Sequence, residues 1–496
     1  MKKIGILIIV ICTLFLQACQ KNMGNETEIK DISIEVRAYE WGATVPKIII
    51  ELNNDIDTVN KDDLIVQTNG IERKVQKSYL SDKEGHEVKG SSRYVTLELE
   101  VTYNPQDIVS NALPSDFDYE KFHVIWPQKY MVSLSGLEIT QDKKDKLLSA
   151  EVNTIDNRLT PDSDLFTKRG KYDGNYTNPI TGIEDVLTLN YAAYEPETIE
   201  SGTKNPLVIW LHGQTEGGTD IDIDLLGNEV SSLAQPDIQE YFSSKDEIGS
   251  YVLAVQTPTY WMDEGDGTNG NGSGDSRYLK ILMDTIESYV NSNPDIDTNR
   301  IYLMGASNGG FMTMDMIINY PDYFAAAVPI AQAYSYYEYE REEDGTYKVD
   351  IDKETGMRTF YKTNNIWFTD EKAKVLQDFP IWFVQSIDDT TVPATDYVLP
   401  IYKKLVQNGN QNQWLSLYES VNSTEIPELQ HLGHLSWIYV FNNQVQGVQD
   451  RQSILSNENL DGYQPDNDGL GGSKHATFED ETYENLFEWL NAQNRK

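Results

Sequence analysis

Residues 300–310, Arg-Ile-Tyr-Leu-Met-Gly-Ala-Ser-Asn-Gly-Gly, run directly into the apolar segment 311–320. Apolar residues, then a turn bare of side chains, then a second apolar run predict a buried strand, a tight turn and a helix, with Ser307 at the apex. Gly305, Ala306, Gly309 and Gly310 suit such a turn, because the serine takes a strained backbone conformation and a larger flanking side chain would strike the adjacent strand or helix. The hydroxyl is then lifted clear of the sheet, at a helix N-terminus whose free N–H groups face any developing negative charge. This is the geometry of a nucleophile elbow. A Gly-x-Ser-x-Gly pattern also arises by chance in long chains, so its meaning depends on what the flanks supply.

The flanks alternate. Residues 207–211 read as a buried strand ending in His212-Gly213, residues 251–255 as another, and residues 276–291 as a helix with Leu279, Leu282, Ile286, Tyr289 and Val290 on one face. Residues 301–304, 325–330, 381–385 and 414–418 are further strands, and residues 165–194 form an opening hairpin. Strands alternating with helices imply a mostly parallel sheet covered by helices on both faces, with function gathered beyond the carboxyl ends of the strands. Three polar insertions, 263–275, 334–358 and 444–475, have the length of lids or binding loops. Residues 263–275 and 466–469 share some composition with calcium loops but lack the ligand spacing, so no metal is assigned. The tyrosines at 334, 336, 337 and 339 suit the packing of a cap, or stacking on an aromatic or sugar ring.

Ahead of this, residues 30–136 hold short alternating or β-branched runs at 32–38, 45–52, 64–67, 93–103, 122–126 and 130–133, punctuated by Asn-Asn-Asp, Asn-Gly and Asn-Pro. They predict an all-β sandwich of immunoglobulin-like size. His86 and His123 lack partners there and read as structural or surface residues. Residues 137–160 are polar and turn-rich and read as a linker to a catalytic domain over 161–496. At the N-terminus, Lys2 and Lys3 precede an apolar run, 4–16, too short to span a bilayer comfortably. Leu16-Gln17-Ala18-Cys19 follows, so residues 1–18 read as a signal peptide and residues 19–29 as the tether of a protein lipidated on Cys19. Cys12 lies inside the signal, leaving the mature chain without a disulfide. With 79 acidic against 40 basic residues and a formal charge of −39, the chain is unsuited to nucleic acid or to an anionic membrane surface. Membrane attachment is then expected only through Cys19, in an extracytoplasmic location.

A serine hydroxyl needs a base to take its proton, and the base needs a carboxylate to fix its tautomer. His431, His434 and His475 follow the serine, and His434, in a loop just after the last strand, is where an elbow-type fold delivers its base. The acid belongs after strand 381–385, where Asp388 and Asp389 stand together; Asp389 is favoured, with Asp388 supporting the loop. Two preset N–H donors complete the site, those of Asn308 and Gln214. His212, at a strand end, reads as a structural hydrogen-bonding residue.

These motifs resemble secreted bacterial esterases related to polyhydroxybutyrate depolymerases, feruloyl esterases and predicted peptidases. The likeness rests on Leu211-His-Gly with Gly217-Gly-Thr-Asp, residues 297–310, Tyr320-Pro-Asp-Tyr-Phe-Ala-Ala-Ala-Val-Pro, Asp389-Thr-Thr-Val-Pro and Gly433-His-Leu-Ser-Trp. The front part is similar to the immunoglobulin-like domain that precedes such esterases, through Glu40-Trp-Gly-Ala-Thr-Val-Pro-Lys, Ser78-Tyr-Leu-Ser-Asp and Tyr94-Val-Thr-Leu-Glu-Leu. The resemblance implies an α/β-hydrolase fold with serine, acid and base at Ser307, Asp389 and His434. Asn308, where relatives often carry methionine, and the three insertions depart from the pattern. The expected activity is hydrolysis of short-chain or aryl esters, from a small-molecule or glycan-linked substrate, without metal or organic cofactor. A serine peptidase and a non-catalytic surface binding protein are the rival readings.

Overall fold

The computed structural model describes residues 26–196, 203–243, 248–353 and 358–495. The expected signal segment 1–18, Cys19 and most of the tether 19–29 lie outside the described residues. Two compact units divide the described residues: 26–35, 45–101 and 128–159 form one, and Val36–Thr44, Thr102–Pro127 and those from Thr160 onward form the other.

The first unit is a β-sandwich. One sheet runs Arg158–Leu159, Ile29–Tyr39, Gly42–Ile56, Ser92–Leu99, Val75–Ser81, and the other runs Lys144–Asn153, Met131–Gln141, Ile65–Thr68, Ile71–Arg73. Residues 137–160, expected as a linker, are instead mostly sandwich: the strand Met131–Gln141 continues through them and turns back as Lys144–Asn153. The reason lies at Gly136, whose φ of 83° accompanies a shift of register between Ser135 and Leu137. Val132 and Leu134 are buried before the bulge and Leu137 and Ile139 after it, so the alternation changes phase in mid-strand. A second expectation also fails. Residues 122–126 are no sandwich strand; His123–Ile125 pairs with Asp116–Asp118 in a two-stranded ribbon of the second unit.

The second unit is built on an eight-stranded sheet: β1 (Lys168–Thr177), β2 (Glu184–Tyr194), β3 (Asn205–Leu211), β4 (Tyr251–Gln256), β5 (Ile296–Ala306), β6 (Ala326–Ile330), β7 (Ile381–Ser386) and β8 (Gln413–Tyr418). Their spatial order is β1-β2-β4-β3-β5-β6-β7-β8. β1 and β2 are the expected antiparallel hairpin, and from β4 onward every pairing is parallel. Successive side chains go to opposite faces, which explains the unbroken apolar runs. Leu207, Ile209 and Leu211 pack on one face with Leu303 and the helix Leu279–Ser292, while Val208 and Trp210 pack on the other with Met304 and the helices Trp437–Phe441 and Leu486–Asn491. Burying both faces lets the strand ends carry strained loops without unravelling the sheet.

The insertions are structured by their own polar side chains. Asp263 accepts from the N–H groups of Gly265 and Gly267 and from Thr259 Oγ1, and Asp466 accepts from those of Leu470 and Gly471. Both carboxylates are thus committed to their own turns. Among the described residues no cluster of three or more His, Cys, Asp or Glu is arranged to hold a metal ion. Tyr334 is buried and stacks on Phe311 of the elbow helix at 5.6 Å, so this tyrosine serves packing.

Candidate active site

The elbow forms where β5 ends. Ser307 has φ 56° and ψ −112°, and the helix Asn308–Asn319 begins at the next residue. Its N–H donates to Ile330 O of β6 at 2.9 Å, and its carbonyl accepts from Phe311 N at 2.9 Å, so backbone bonds on both sides hold the strained residue. Crowding explains the glycine on its helix side: a Cβ on Gly309 would stand 1.9 Å from Leu211 O.

Three expected side chains meet in one hydrogen-bonded chain. His434, on the single turn Gly433–Leu435, places Nε2 2.8 Å from Ser307 Oγ and Nδ1 2.8 Å from Asp389 Oδ2. Asp389 is held on every side. Its Oδ1 accepts the N–H groups of Thr391 and Val392, each at 2.8 Å, and its Oδ2 also accepts Gln385 Nε2 at 2.9 Å. The Trp437 ring meets His434 edge-on at 5.4 Å. The carboxylate is fully buried while the imidazole keeps 11% exposure.

The competitors are elsewhere. Asp388 accepts from Ser386 Oγ and supports the loop, His475 is exposed, and His431 lies 3.1 Å from Glu40. His212 is completely buried; Thr257 N–H donates to its Nε2 at 3.1 Å and its Nδ1 faces Gly213 O at 2.6 Å. That pattern requires a neutral ring protonated on Nδ1, and burial drops its pKa to about 3. It braces the loop that carries Gln214. Gln214 is partly buried in that loop after β3, and the N–H of Asn308 is the first of the elbow helix, where helical geometry provides no acceptor.

Sequence reasoning missed three contributions. Asn308 was expected to act only through its backbone, yet its side chain is buried: Oδ1 accepts Trp261 N at 2.6 Å and Met262 N at 3.3 Å, and Nδ2 donates to Asn269 Oδ1 at 2.7 Å. The residue after Ser307 thus fastens the 263–275 insertion. Gln385, four residues before Asp389, is the second; a polar residue ending an otherwise apolar strand was its only signal. The third is His123, buried against Tyr260 at 5.2 Å. It lines a cavity of about 560 Å³ together with Trp126, Gly217, Gly218 and Tyr260; the two glycines follow Gln214 on the same loop, and Ser307, His434 and Asp389 are not part of the lining.

Comparison with known proteins matches this architecture. Residues 32–170 match the esterase Ig-like N-terminal domain, and residues 275–421 match the prolyl oligopeptidase family. A thermostable esterase of known crystal structure superposes with a TM-score of 0.59 at 23% identity, over 84% of this chain and 97% of that one. The chain has an α/β-hydrolase fold, and a segment matching the esterase Ig-like domain lies in front. The Ig-like match runs through residues 137–160, in line with the sandwich hairpin found there. Poly(3-hydroxyalkanoate) depolymerase C of Paucimonas lemoignei is 42% identical over 71 residues, 14% of this chain and 16% of that protein. Poly(3-hydroxybutyrate) depolymerase of Ralstonia pickettii is 33% identical over 128 residues, 25% of this chain and 24% of that protein. The matched stretch therefore spans less than a quarter of either curated relative.

Proposed function

We propose that the protein is a serine hydrolase of carboxylic esters, with Ser307 as nucleophile, His434 as general base and acid, and Asp389 as the carboxylate that orients His434. The observation that carries this reading is the Ser307–His434–Asp389 chain, with both contacts at 2.8 Å, set on an elbow. Asp389 Oδ2 fixes the proton on His434 Nδ1, which leaves Nε2 free to take the Ser307 proton as Oγ attacks the ester carbonyl. The oxyanion is received by the N–H groups of Asn308 and Gln214, each such donor being worth about 3 kcal/mol of barrier. His434 then protonates the leaving alcohol, and water attacks the acyl-enzyme by the same route in reverse.

Short-chain or aryl esters are the proposed substrates, since the described residues of the insertions are largely polar and hydrogen-bonded among themselves. The prolyl oligopeptidase match supports a second reading, a peptidase using the same chain. Rates on short p-nitrophenyl esters and on peptide p-nitroanilides decide between them: ester turnover with negligible amide turnover is expected, and the converse would sink the esterase reading. We place the protein outside the cytoplasm, anchored through Cys19. No helix among the described residues is long and apolar enough to cross a membrane. Palmitate incorporation that disappears in Cys19→Ala is expected; a wild-type chain that takes up no label would refute the anchor.

A further inference from the structure

We propose that Glu40 is a positioning residue for His434, an inference that rests on the catalytic reading above. Glu40 sits in the Val36–Thr44 segment of the second unit, nearly 400 residues from His434 in sequence. Its side chain is completely buried, and its carboxylate collects hydrogen bonds from the chain on both sides of the base. On the upstream side, Oε1 accepts Thr424 N–H at 2.7 Å and Thr424 Oγ1, while Oε2 accepts Ser423 Oγ and lies 3.1 Å from His431 Nε2. On the downstream side, Asn442 Nδ2 donates to Oε1 at 3.3 Å.

His431 and Asn442 bracket the base. His431 pairs with Val421 in a two-stranded hairpin and is followed, three residues on, by His434. Asn442 is the C-cap of the helix Trp437–Phe441, whose first residue packs on the His434 ring. Chain leaving the hairpin and chain leaving the helix are thus drawn to one carboxylate. The imidazole between them is placed by its two hydrogen bonds, to Ser307 and Asp389, and by the Trp437 edge. His431 is itself confined by the rings of Trp41 and Tyr103 at 6.5 and 6.3 Å.

A buried carboxylate is stable only when its lone pairs are used, and here five donors use them. Burial by itself raises the Glu40 pKa; the bonds from His431, Ser423 and Thr424 outweigh it and hold the group at about 2. Two neighbouring carboxyls, Glu425 and Glu229, are pushed up by burial to about 7 and about 8, with Glu40 adding to each through its charge. Glu40, held ionised beside these two raised neighbours, is the carboxylate that holds the hairpin. Misplacing a base by about 1 Å costs on the order of 100-fold in rate without touching the reacting atoms.

The test compares wild type, Glu40→Gln, Thr424→Val and Asn442→Ala for melting temperature, for active sites titrated with a fluorophosphonate, and for kcat and KM on p-nitrophenyl acetate. Wild-type turnover that is lost in Ser307→Ala fixes the catalytic reading first; a wild type without turnover would overturn that reading and this proposal with it. Glu40→Gln is expected to lower kcat per titrated site about tenfold or more while KM stays within about twofold, a split that a purely stabilising contact does not produce. Asn442→Ala and Thr424→Val, which each remove part of the donor set, are expected to fall between. If Glu40→Gln folds and keeps wild-type kcat per site, the proposal is wrong. If it does not fold, the two milder variants decide, and unchanged kcat in both overturns it.

Discussion

Replacing Asp389 by asparagine tests the hydrogen-bond logic of the site one atom at a time. The carboxylate has two jobs, divided between its oxygens: Oδ1 accepts two backbone N–H groups, and Oδ2 accepts His434 Nδ1 and Gln385 Nε2. An asparagine must put its NH₂ at one of these places. At Oδ1 it would face the N–H groups of Thr391 and Val392, donor against two donors. The amide therefore turns its NH₂ toward His434, where it donates to Nδ1 and forces the imidazole proton onto Nε2. A ring protonated on Nε2 cannot accept the Ser307 proton. Loss of the correct tautomer in a serine–histidine–carboxylate site costs about 10⁴ in kcat, or about 5 kcal/mol of barrier. Gln385 can rotate its amide to meet the new donor, so the fold is expected to lose no more than about 1–3 kcal/mol, the cost of one unsatisfied buried group. The assay is kcat on p-nitrophenyl acetate, normalised to folded protein by circular dichroism. A variant within tenfold of wild type would refute the assignment of Asp389. Asp388→Asn should stay within that limit, since Asp388 bonds Ser386 and makes no bond to the base.

Other perturbations reach the scaffold. Gly309→Ala, whose Cβ would meet Leu211 O at 1.9 Å, should destabilise by about 3 kcal/mol or more; a wild-type melting temperature would contradict the crowding argument. Asn308→Ala frees the Trp261 and Met262 N–H groups and should change KM and ester preference more than the elbow's reactivity toward a small fluorophosphonate. Identical ester profiles for the two proteins would show that the insertion does not shape the site. Asp315 gives a pH-dependent test: burial and the charge of Asp275 raise its pKa to about 7. An acid whose folded pKa is raised contributes stability fully only below its unfolded pKa and loses it as pH rises through the folded value, here between about 4 and 7. Asp315→Asn should therefore raise the melting temperature at pH 8, by up to about 4 kcal/mol of stability, and do little at pH 4. Equal effects at both pH values would refute the shift.

What was legible in the sequence divides along physical lines. The elbow, the alternating strands and helices, Asp389 and His434 could be read because each rests on local pattern: apolar runs, bare glycines, and polar residues just past strand ends. The sandwich boundary was missed because the Gly136 bulge inverts the alternation halfway along a strand, so the periodicity that marks its first half cancels in the second. The segment 102–127 was misplaced for the opposite reason: its short strand looks like its neighbours, and only long-range contacts such as His123 with Tyr260 assign it to the hydrolase unit. Glu40 and the Asn308 side chain left no trace in local pattern. Their partners are hundreds of residues away or in an irregular loop, and a glutamate in a turn or an asparagine at a helix start has many ordinary explanations. Substrate preference was illegible for a related reason, because it lies in insertions whose shape depends on contacts rather than periodicity.

Everything proposed for the site depends on Ser307 being a nucleophile activated by His434. Brief exposure of the folded protein to a fluorophosphonate, followed by peptide mass analysis, measures it directly. One adduct per chain is expected, on Ser307, formed at least about 10³-fold more slowly in His434→Ala. Folded protein that carries no adduct, carries it on another residue, or labels Ser307 equally fast without His434 would contradict it.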